Sequence, residues 1–324
     1  MATSRSWRPP RVIVGPQVAR VEDIGPLNHV FSDAFTERYR RDGMVGVRVP
    51  FLNPSVWRYA IEDAAGGAML WRDDRGEIVA FNMVHLSGAE GWMGPLAVRT
   101  EDQGTGTGKA VVISGIEWLR EQGARVIGLE TMPRTMDNIG FYSGMGFVPH
   151  RLTLTVTLDA AFADRPAALL SRCSHFEKED ALAECRALLG TLAPGYDYTR
   201  EILLTDELSI GDTLLLRRND ALIGFALCHT VPLVEGRSRE ELRVLKMVLS
   251  EAADLELMVS ALRDYARRGG TRRISLRVQG DYTDEYARLV KLGARVRWTD
   301  LRMSLTGFEE ARPPRGVVLS NWEI

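Results

Sequence analysis

Two short stretches of this chain contain residues whose types and spacing could do chemistry. The first, Gln103–Lys109 (QGTGTGK), alternates glycine with threonine and ends on a lysine. Glycines let a ligand approach the backbone, and the unpaired N–H groups that open a helix attract anions. The stretch therefore predicts a phosphate cradle centred on Gly106 and Gly108. The second stretch, NIGFYSGMGF, contains Tyr142, whose phenol can donate a proton.

Two common phosphate-binding motifs do not fit the first stretch. A P-loop reads GxxxxGK followed by Ser or Thr, but Gln103 stands at its first glycine and Ala110 at its hydroxyl position. A dinucleotide fingerprint reads GxGxxG, and Lys109 or Val111 occupies its last glycine position. The pattern that remains is QxxGxG, from Gln103 to Gly108, between a predicted strand and a predicted helix.

Regular elements on both sides must position these residues. Apolar residues at helical spacing predict a helix from Lys109 to Gly123, and a further short helix is expected within Thr135–Phe147, ending at Gly146. Two helices are expected earlier, within Val18–Gly43 and near Pro54–Ala65. Strand patterns cover five segments: Ala68–Arg72, Glu77–Leu86, Gly91–Arg99, Arg125–Glu130 and Arg151–Leu158.

The second half of the chain repeats the first. The segment from Asn138 (NIGFYSGMGFVPHRLTLTVTL) aligns with the segment from Glu285 (EYARLVKLGARVRWTDLRMSL), and the same offset of 147 residues aligns Gly123 with Gly270. A constant offset across helix and strand indicates two copies of one α+β domain. The predicted divisions are a flexible leader (1–10), a first domain (11–158), a linker (159–168), a second domain (169–306) and a tail (307–324).

QxxGxG together with Tyr142, Gly146 and Phe147 resembles the GNAT acyltransferase superfamily. The resemblance covers the first copy by its motifs and the second copy only as a fold. It implies two tandem GNAT folds of the α+β class, each a mixed, mostly antiparallel sheet flanked by helices. It also implies acetyl-CoA as co-substrate, held by Leu96, Ala97, Val98, Gln103, Gly104, Thr105, Gly106, Thr107, Gly108, Lys109, Thr135, Asn138 and Tyr142.

The resemblance also assigns roles in acyl transfer from a thioester to an amine. Tyr142 matches the general acid that protonates the sulfur leaving group. Some members carry a catalytic carboxylate on the fourth strand, at the position of Trp92 here. Glu90, two residues earlier and on the same strand face, is therefore the predicted base, acting through a water. Glu130 and His85 are the alternatives.

Composition narrows the class of partner. The chain is 45% hydrophobic and 26% charged with a formal net charge of −2, which favours neither nucleic acid nor a membrane surface as partner. The three cysteines, Cys173, Cys185 and Cys228, form no CxxC pair, and no HExxH is present. We therefore expect a cytoplasmic protein with no metal. The tail, with its strand-like GVVLSNWEI, is expected to dock onto its own chain or onto the second subunit of a homodimer.

The predicted function is transfer of an acetyl group from acetyl-CoA to a primary amine of a small molecule or peptide. Direct attack within a ternary complex is expected, because the first domain contains no cysteine. The alternative is a non-catalytic sensor or scaffold that binds acyl-CoA. Only the first copy is expected to bind CoA, because the offset places Ala253 and Leu255 at the two key glycines. It also places Leu289 at the position of Tyr142.

Overall fold

The computed structural model describes residues 12–163, 166 and 168–324. The predicted leader, 1–10, lies outside the described residues. Part of the predicted linker, at 164, 165 and 167, lies outside them as well.

The first copy contains six strands and four α-helices in the described residues. An edge strand, β1 (Val14–Val18), precedes two helices, α1 (Ile24–Arg41) and α2 (Pro54–Ala64). The remaining elements are β2 (Ala68–Arg72), β3 (Ile78–Ser87), β4 (Glu90–Val98), α3 (Thr107–Glu121), β5 (Val126–Thr131), α4 (Met136–Ser143) and β6 (Phe147–Asp159).

The second copy repeats this order and is followed by the strand of the tail. Its elements are β7 (Ala168–Leu169), α5 (His175–Leu192), α6 (Thr199–Glu207), β8 (Gly211–Arg218), β9 (Ala221–His229), β10 (Glu241–Leu249), α7 (Leu255–Arg268), β11 (Arg273–Gln279), α8 (Thr283–Lys291) and β12 (Arg295–Leu305). The tail contributes β13 (Val317–Ser320). The repeat read from the sequence is confirmed as a repeat of fold.

Most predicted elements are confirmed within a few residues. The strand over Ala68–Arg72 is found at those bounds, whereas the strand predicted at Arg151 begins already at Phe147. The edge strand β1 was not expected, because it is short and contains Pro16. A proline donates no N–H to a ladder and is therefore tolerated at a sheet edge.

One continuous sheet joins the two copies through their last strands. In the described residues its order is β1-β2-β3-β4-β5-β12-β6-β11-β10-β9-β8-β7. β12, from the second copy, pairs with β5 of the first, and β6, from the first copy, pairs with β11 of the second. β6 and β12 also pair with each other, antiparallel. Each copy thus completes the sheet of the other.

Helices cover both faces of the sheet in each copy. In the first copy, Leu27 and Phe31 of α1 and Trp57 of α2 pack on one face, and Ile116 and Leu119 of α3 pack on the other. Alternating residues of β3 contact the two layers, as a strand buried on both sides requires. None of the described helices is long and apolar enough to cross a membrane.

Candidate active site

A cleft of about 450 Å³ runs along the start of α3 and the end of β4. We call it the loop cleft, and its walls come from α1, β4, the glycine loop and α4. Most of the predicted cofactor-binding residues line it: Leu96, Ala97, Val98, Gln103, Gly104, Gly106, Gly108, Lys109, Asn138 and Tyr142. The structure therefore gathers the glycine loop and the tyrosine, which are separate in sequence, around one cleft.

The glycine loop has a backbone that only glycine adopts readily. Gly104 and Gly106 have φ values of +78° and +94°, in the left-handed region that side chains disfavour. A Cβ at either position would meet no atom within 4 Å, so open space lies above both. Gly106 is the N-cap of α3 and supplies no side-chain cap. The first N–H groups of a helix lack intrahelical acceptors, and the helix dipole favours an anion beside them.

Arginines from α1 add positive charge opposite the loop. Arg38, Arg41 and Lys109 all line the loop cleft. Arg41 Nη1 donates to Gln103 Oε1 at 3.0 Å, and Gln103 Nε2 donates to the carbonyl of Val98 at 3.0 Å. The glutamine of the motif therefore ties the loop to both α1 and β4. Sequence reasoning missed the two arginines, although basic residues in the last turn of a helix were a signal for them.

The end of β4 leaves a gap in the sheet. β4 pairs with β5 in parallel only from Glu90 to Met93. Beyond Met93 the two strands separate, while Leu96, Ala97 and Val98 remain paired with β3 on their other side. We call this opening the first gap. It exposes one edge of the β4 backbone to the loop cleft, and that edge can bond an extended chain of amides.

A second, smaller cavity of about 160 Å³ lies at the bottom of the first gap. We call it the inner cavity. Leu96, Asn138 and Tyr142 line both the inner cavity and the loop cleft. Its far side is formed by residues of α1, β5, β12 and the tail: Tyr39, Glu130, Trp298, Asp300 and Glu323. A ligand that enters along the loop cleft therefore meets Tyr142 where the two spaces join.

Tyr142 is held in a neutral, proton-donating state. Its side chain is buried and packs against Phe141 and Phe147. Burial raises the pKa of the Tyr142 phenol well above its usual value, because the phenolate would lose its hydration. The hydroxyl therefore remains protonated at neutral pH. That is the state a general acid needs.

Three of the predicted cofactor-binding threonines do not line the cleft. Thr135 is fully buried, and its Oγ1 donates to Asp42 Oδ2 at 2.8 Å, so it joins α4 to α1. Thr105 Oγ1 donates to the carbonyl of Asp102 at 2.7 Å and shares a hydrogen bond with Thr107 Oγ1. These hydroxyls shape the loop and the start of α4 from within. Asn138, one turn into α4, lines the cleft in place of Thr135.

Glu90 is not at the cleft, which corrects its prediction as the base. Its carboxylate is fully buried and accepts hydrogen bonds from Trp322 Nε1 at 2.8 Å and Tyr198 Oη at 3.0 Å. Lys246 Nζ lies 3.6 Å away. Strand alternation gave the face correctly, but the second copy and the tail cover that face. His85, the alternative, is also fully buried, with its Nδ1 2.6 Å from Asp63 Oδ2.

Glu130, the other alternative, lines the inner cavity but is held as a carboxylate. Arg302 Nε donates to it at 2.9 Å, Arg277 Nη2 at 2.5 Å, and the Thr153 hydroxyl donates as well. Burial alone would raise the pKa of Glu130, but the two arginines lower it to about 2. A group that holds no proton above that pH is too weak a base to take one from an amine.

The second copy has the same gap between strands, but protein fills it. β10 pairs with β11 only from Glu241 to Arg243, so the strands again separate. We call this the second gap. Here β13 of the tail pairs antiparallel with Lys246–Leu249 of β10. Tyr282 Oη donates to the carbonyl of Val318 at 3.0 Å and accepts from its N–H. The tail thus occupies the position that corresponds to the open edge of β4.

The second copy also lacks the glycine loop. Residues 99–106 connect β4 to α3, whereas only residues 250–254 connect β10 to α7. The offset of 147 residues therefore does not hold across this connection. When the two helix starts are aligned, Asp254 stands at the position of Gly106 and Glu256 at that of Gly108, so both glycines are absent, although Ala253 and Leu255 are not their counterparts as the sequence suggested. Asp254 is the N-cap residue of α7, and its side chain pairs with Arg218 at 2.6 Å.

Comparison with known proteins agrees with this geometry. Residues 29–147 match the model of the acetyltransferase (GNAT) family. No match to the chain was found among curated protein sequences. The family match covers most of the first copy, which carries the loop cleft.

Solved structures extend the similarity to the whole chain. A protein from Pyrococcus horikoshii, provisionally classed as an acetyltransferase, is similar over 99% of this chain and 98% of its own (TM-score 0.66, 16% identity). A tandem GNAT protein of the clavulanic acid biosynthesis pathway is similar over 91% of this chain and 98% of its own (TM-score 0.59, 11% identity). A GCN5-related N-acetyltransferase from Sphaerobacter thermophilus is similar over 95% of this chain and 98% of its own (TM-score 0.57, 14% identity). The chain has the tandem GNAT fold. Acyl-CoA-dependent N-acyl transfer is the general activity of the GNAT family.

Proposed function

We propose that the chain is an N-acetyltransferase that moves an acetyl group from acetyl-CoA to a primary amine. The observation that carries the proposal is the position of Tyr142, a neutral buried phenol at the junction of the loop cleft and the inner cavity. A donor that enters along the loop cleft and an acceptor in the inner cavity would meet at this residue.

The residues of the loop cleft fit a diphosphate joined to a long amide chain. Gly106 has open space above it at the start of α3, Gly108 adds no side chain there, and Arg41 and Lys109 supply positive charge. The free edge of Leu96–Val98 offers backbone groups to the pantetheine amides, and Asn138 offers a side-chain amide. Bound acetyl-CoA would supply the thioester that is attacked.

Tyr142 would act on the sulfur. As the amine nitrogen bonds to the acetyl carbon and the carbon–sulfur bond breaks, the Tyr142 hydroxyl donates its proton to the departing thiolate. The described cysteines, Cys173, Cys185 and Cys228, all belong to the second copy and line neither the loop cleft nor the inner cavity. The acetyl group would therefore pass directly to the amine within a ternary complex.

Replacing Tyr142→Phe tests this role. The variant should lower kcat by about 10²–10⁴-fold, the usual contribution of a general acid, and leave the affinity for acetyl-CoA nearly unchanged. Acetyl-CoA affinity is measured by calorimetry, and turnover is measured with a panel of primary amines. Tyr286→Phe is the matched control, because Tyr286 is partly buried and packs against the core of the second copy.

Three outcomes separate the alternatives. Wild-type turnover in Tyr142→Phe would show that another group protonates the sulfur. A wild-type protein that binds acetyl-CoA but acetylates no amine would favour the sensor or scaffold. A protein that binds no acetyl-CoA would reject the assignment of the loop cleft.

A further inference from the structure

The tail brings a carboxylate into the inner cavity. Glu323 lines this cavity together with Tyr142, although the two residues are far apart in sequence. Its side chain is about 50% exposed, whereas the other carboxylates of the cavity are almost completely buried. A ligand in the cavity can therefore reach Glu323.

The neighbours of Glu323 are fixed by packing. Trp322 is buried and lies so close to Gly128 of β5 that a side chain at position 128 would overlap the indole ring. The guanidinium of Arg302 stacks 3.8 Å from the centre of the Trp322 ring. On the other side, Arg243 Nη1 donates to the carbonyl of Ile324 at 2.9 Å. Because both neighbours are anchored, Glu323 is held at the cavity wall and does not lie on a loose segment.

The bonds made by each carboxylate of the cavity set Glu323 apart. Glu130 is shared by two arginines, and Asp300 accepts from Arg277 Nη2 at 3.0 Å and from Trp298 Nε1 at 3.1 Å. Within the described part of the chain Glu323 has one ion pair, between its Oε2 and Arg277 Nη1 at 2.7 Å. Its other oxygen is left for a ligand.

We infer that Glu323 is the catalytic residue that binds the ammonium group of the acceptor and removes a proton from it. This inference rests on the proposed function. The carboxylate takes one proton from R–NH₃⁺, which gives R–NH₂ and a neutral Glu323. The amine nitrogen bonds to the acetyl carbon, the carbon–sulfur bond breaks, and Tyr142 protonates the sulfur. The second nitrogen proton returns through water to Tyr142, and the proton on Glu323 passes to solvent.

The lining of the cavity specifies the class of acceptor. Glu130, Asp300 and Glu323 line the cavity with one basic residue, Arg38, which is already paired with Asp42 at 2.5 Å. Arg277 lies behind the three carboxylates and pairs with each of them, and Arg302 pairs with Glu130 as well. The rings of Tyr39 and Trp298 stand with their centres 6.4 Å apart, and aromatic faces attract cations. An amine with an aromatic group and no neighbouring carboxylate fits these walls. An α-amino acid would bring its own carboxylate against Asp300 and Glu323.

Several charged groups set the proton affinity of Glu323. The groups that face it are Arg277 on β11, Arg243 on β10, Asp300 on β12, Glu130 on β5 and Tyr39 on α1. Partial loss of water at the cleft wall raises the pKa of the half-exposed Glu323 to about 7, and Asp300 and Glu130 add to this against the opposing arginines. A base with a pKa near the working pH transfers protons most effectively. The rate should therefore rise with pH through about 7, as the carboxylate forms.

The experiment compares the full chain with Glu323→Gln, using tyramine and tyrosine as probe acceptors and acetyl-CoA as donor. We expect kcat/KM for tyramine to fall by about 10²–10⁴-fold in Glu323→Gln and the rise near pH 7 to disappear. Acetyl-CoA affinity by calorimetry should not change. Glu323→Asp should restore part of the rate, and Glu309→Gln, an exposed residue of the same tail, should behave as the wild type.

Each contrary result has its own meaning. Wild-type rate and pH profile in Glu323→Gln would overturn the role of Glu323. Acetylation of tyrosine as fast as tyramine, or of neither, by a protein that binds acetyl-CoA would overturn the acceptor class. Absence of acetyl-CoA binding in the wild type would overturn the proposed function and this inference with it.

Discussion

The two gaps show how one fold can be completed in two ways. In both copies the fourth and fifth strands begin in parallel and then separate, after Met93 in the first copy and after Arg243 in the second. The first gap opens onto the loop cleft, whereas β13 fills the second gap and bonds to the free edge of β10. An exposed strand edge needs a partner. In the second copy that partner is a segment of the same chain, and in the first it is, we propose, pantetheine.

The helices that follow β4 and β10 also differ at their N-termini, α3 in the first copy and α7 in the second. The N-cap of α3 is Gly106, which has open space above it, and Lys109 lies in the first turn of the helix. The N-cap of α7 is Asp254, which is paired with Arg218, and Arg288 Nη1 donates to the carbonyl of Ala252 at 2.6 Å. The N-cap position of α7 therefore carries a side chain, whereas that of α3 is a glycine with open space above it. Both differences point to one functional copy and one structural copy.

The largest effect is expected from removing the residue that anchors the tail between the copies. Trp322→Ala should lower the free energy of unfolding by about 3–5 kcal/mol, because it empties a fully buried site and leaves Glu90 without one of its donors. Phe176→Ala is the control, since that ring is 78% exposed and its removal should change the free energy of unfolding by no more than about 0.5 kcal/mol. Both values come from urea unfolding. A Trp322→Ala variant as stable as the control would show that the tail is not part of the fold.

A smaller and more specific effect is expected at the helix start of the first copy. A Cβ at Gly108 would lie 3.5 Å from the Phe141 ring, an ordinary contact, so the free protein can accept Gly108→Ala. Alanine should even stabilise α3 slightly, by up to about 1 kcal/mol. The methyl group would crowd a bound diphosphate at a cost of about 1–3 kcal/mol, or about 5- to 150-fold in affinity for acetyl-CoA. Thermal melting and calorimetry report the two quantities separately, and unchanged affinity would place the diphosphate elsewhere.

Local signals in the sequence were enough to predict the elements of the fold and the loop cleft. The glycine pattern, the helical spacing after Lys109 and the repeat through Gly123 and Gly270 depend on neighbouring residues, and the structure has all three features. The exchange of β6 and β12 could not be predicted in this way. Strands that pair across copies carry the same alternation as strands that pair within one.

The general base was predicted at the wrong residue, Glu90, for a related reason. Alternation along β4 gives the face of Glu90 but not what covers that face, and Tyr198 and Trp322 cover it from distant parts of the sequence. Glu323 could not be singled out, because its role depends on a tail that passes through the second gap before it reaches the inner cavity. The shorter connection before α7 was hidden by a longer one before β10, so the overall offset still looked constant.

The number of acetyl-CoA molecules bound per chain tests the contrast between the two gaps most directly. Calorimetric titration of the full chain should give one site per chain, because β13 already occupies the second gap. Gly108→Ala should weaken that same site and reveal no other. Two equivalent sites per chain, or one site unaffected by Gly108→Ala, would contradict the assignment of binding to the first copy.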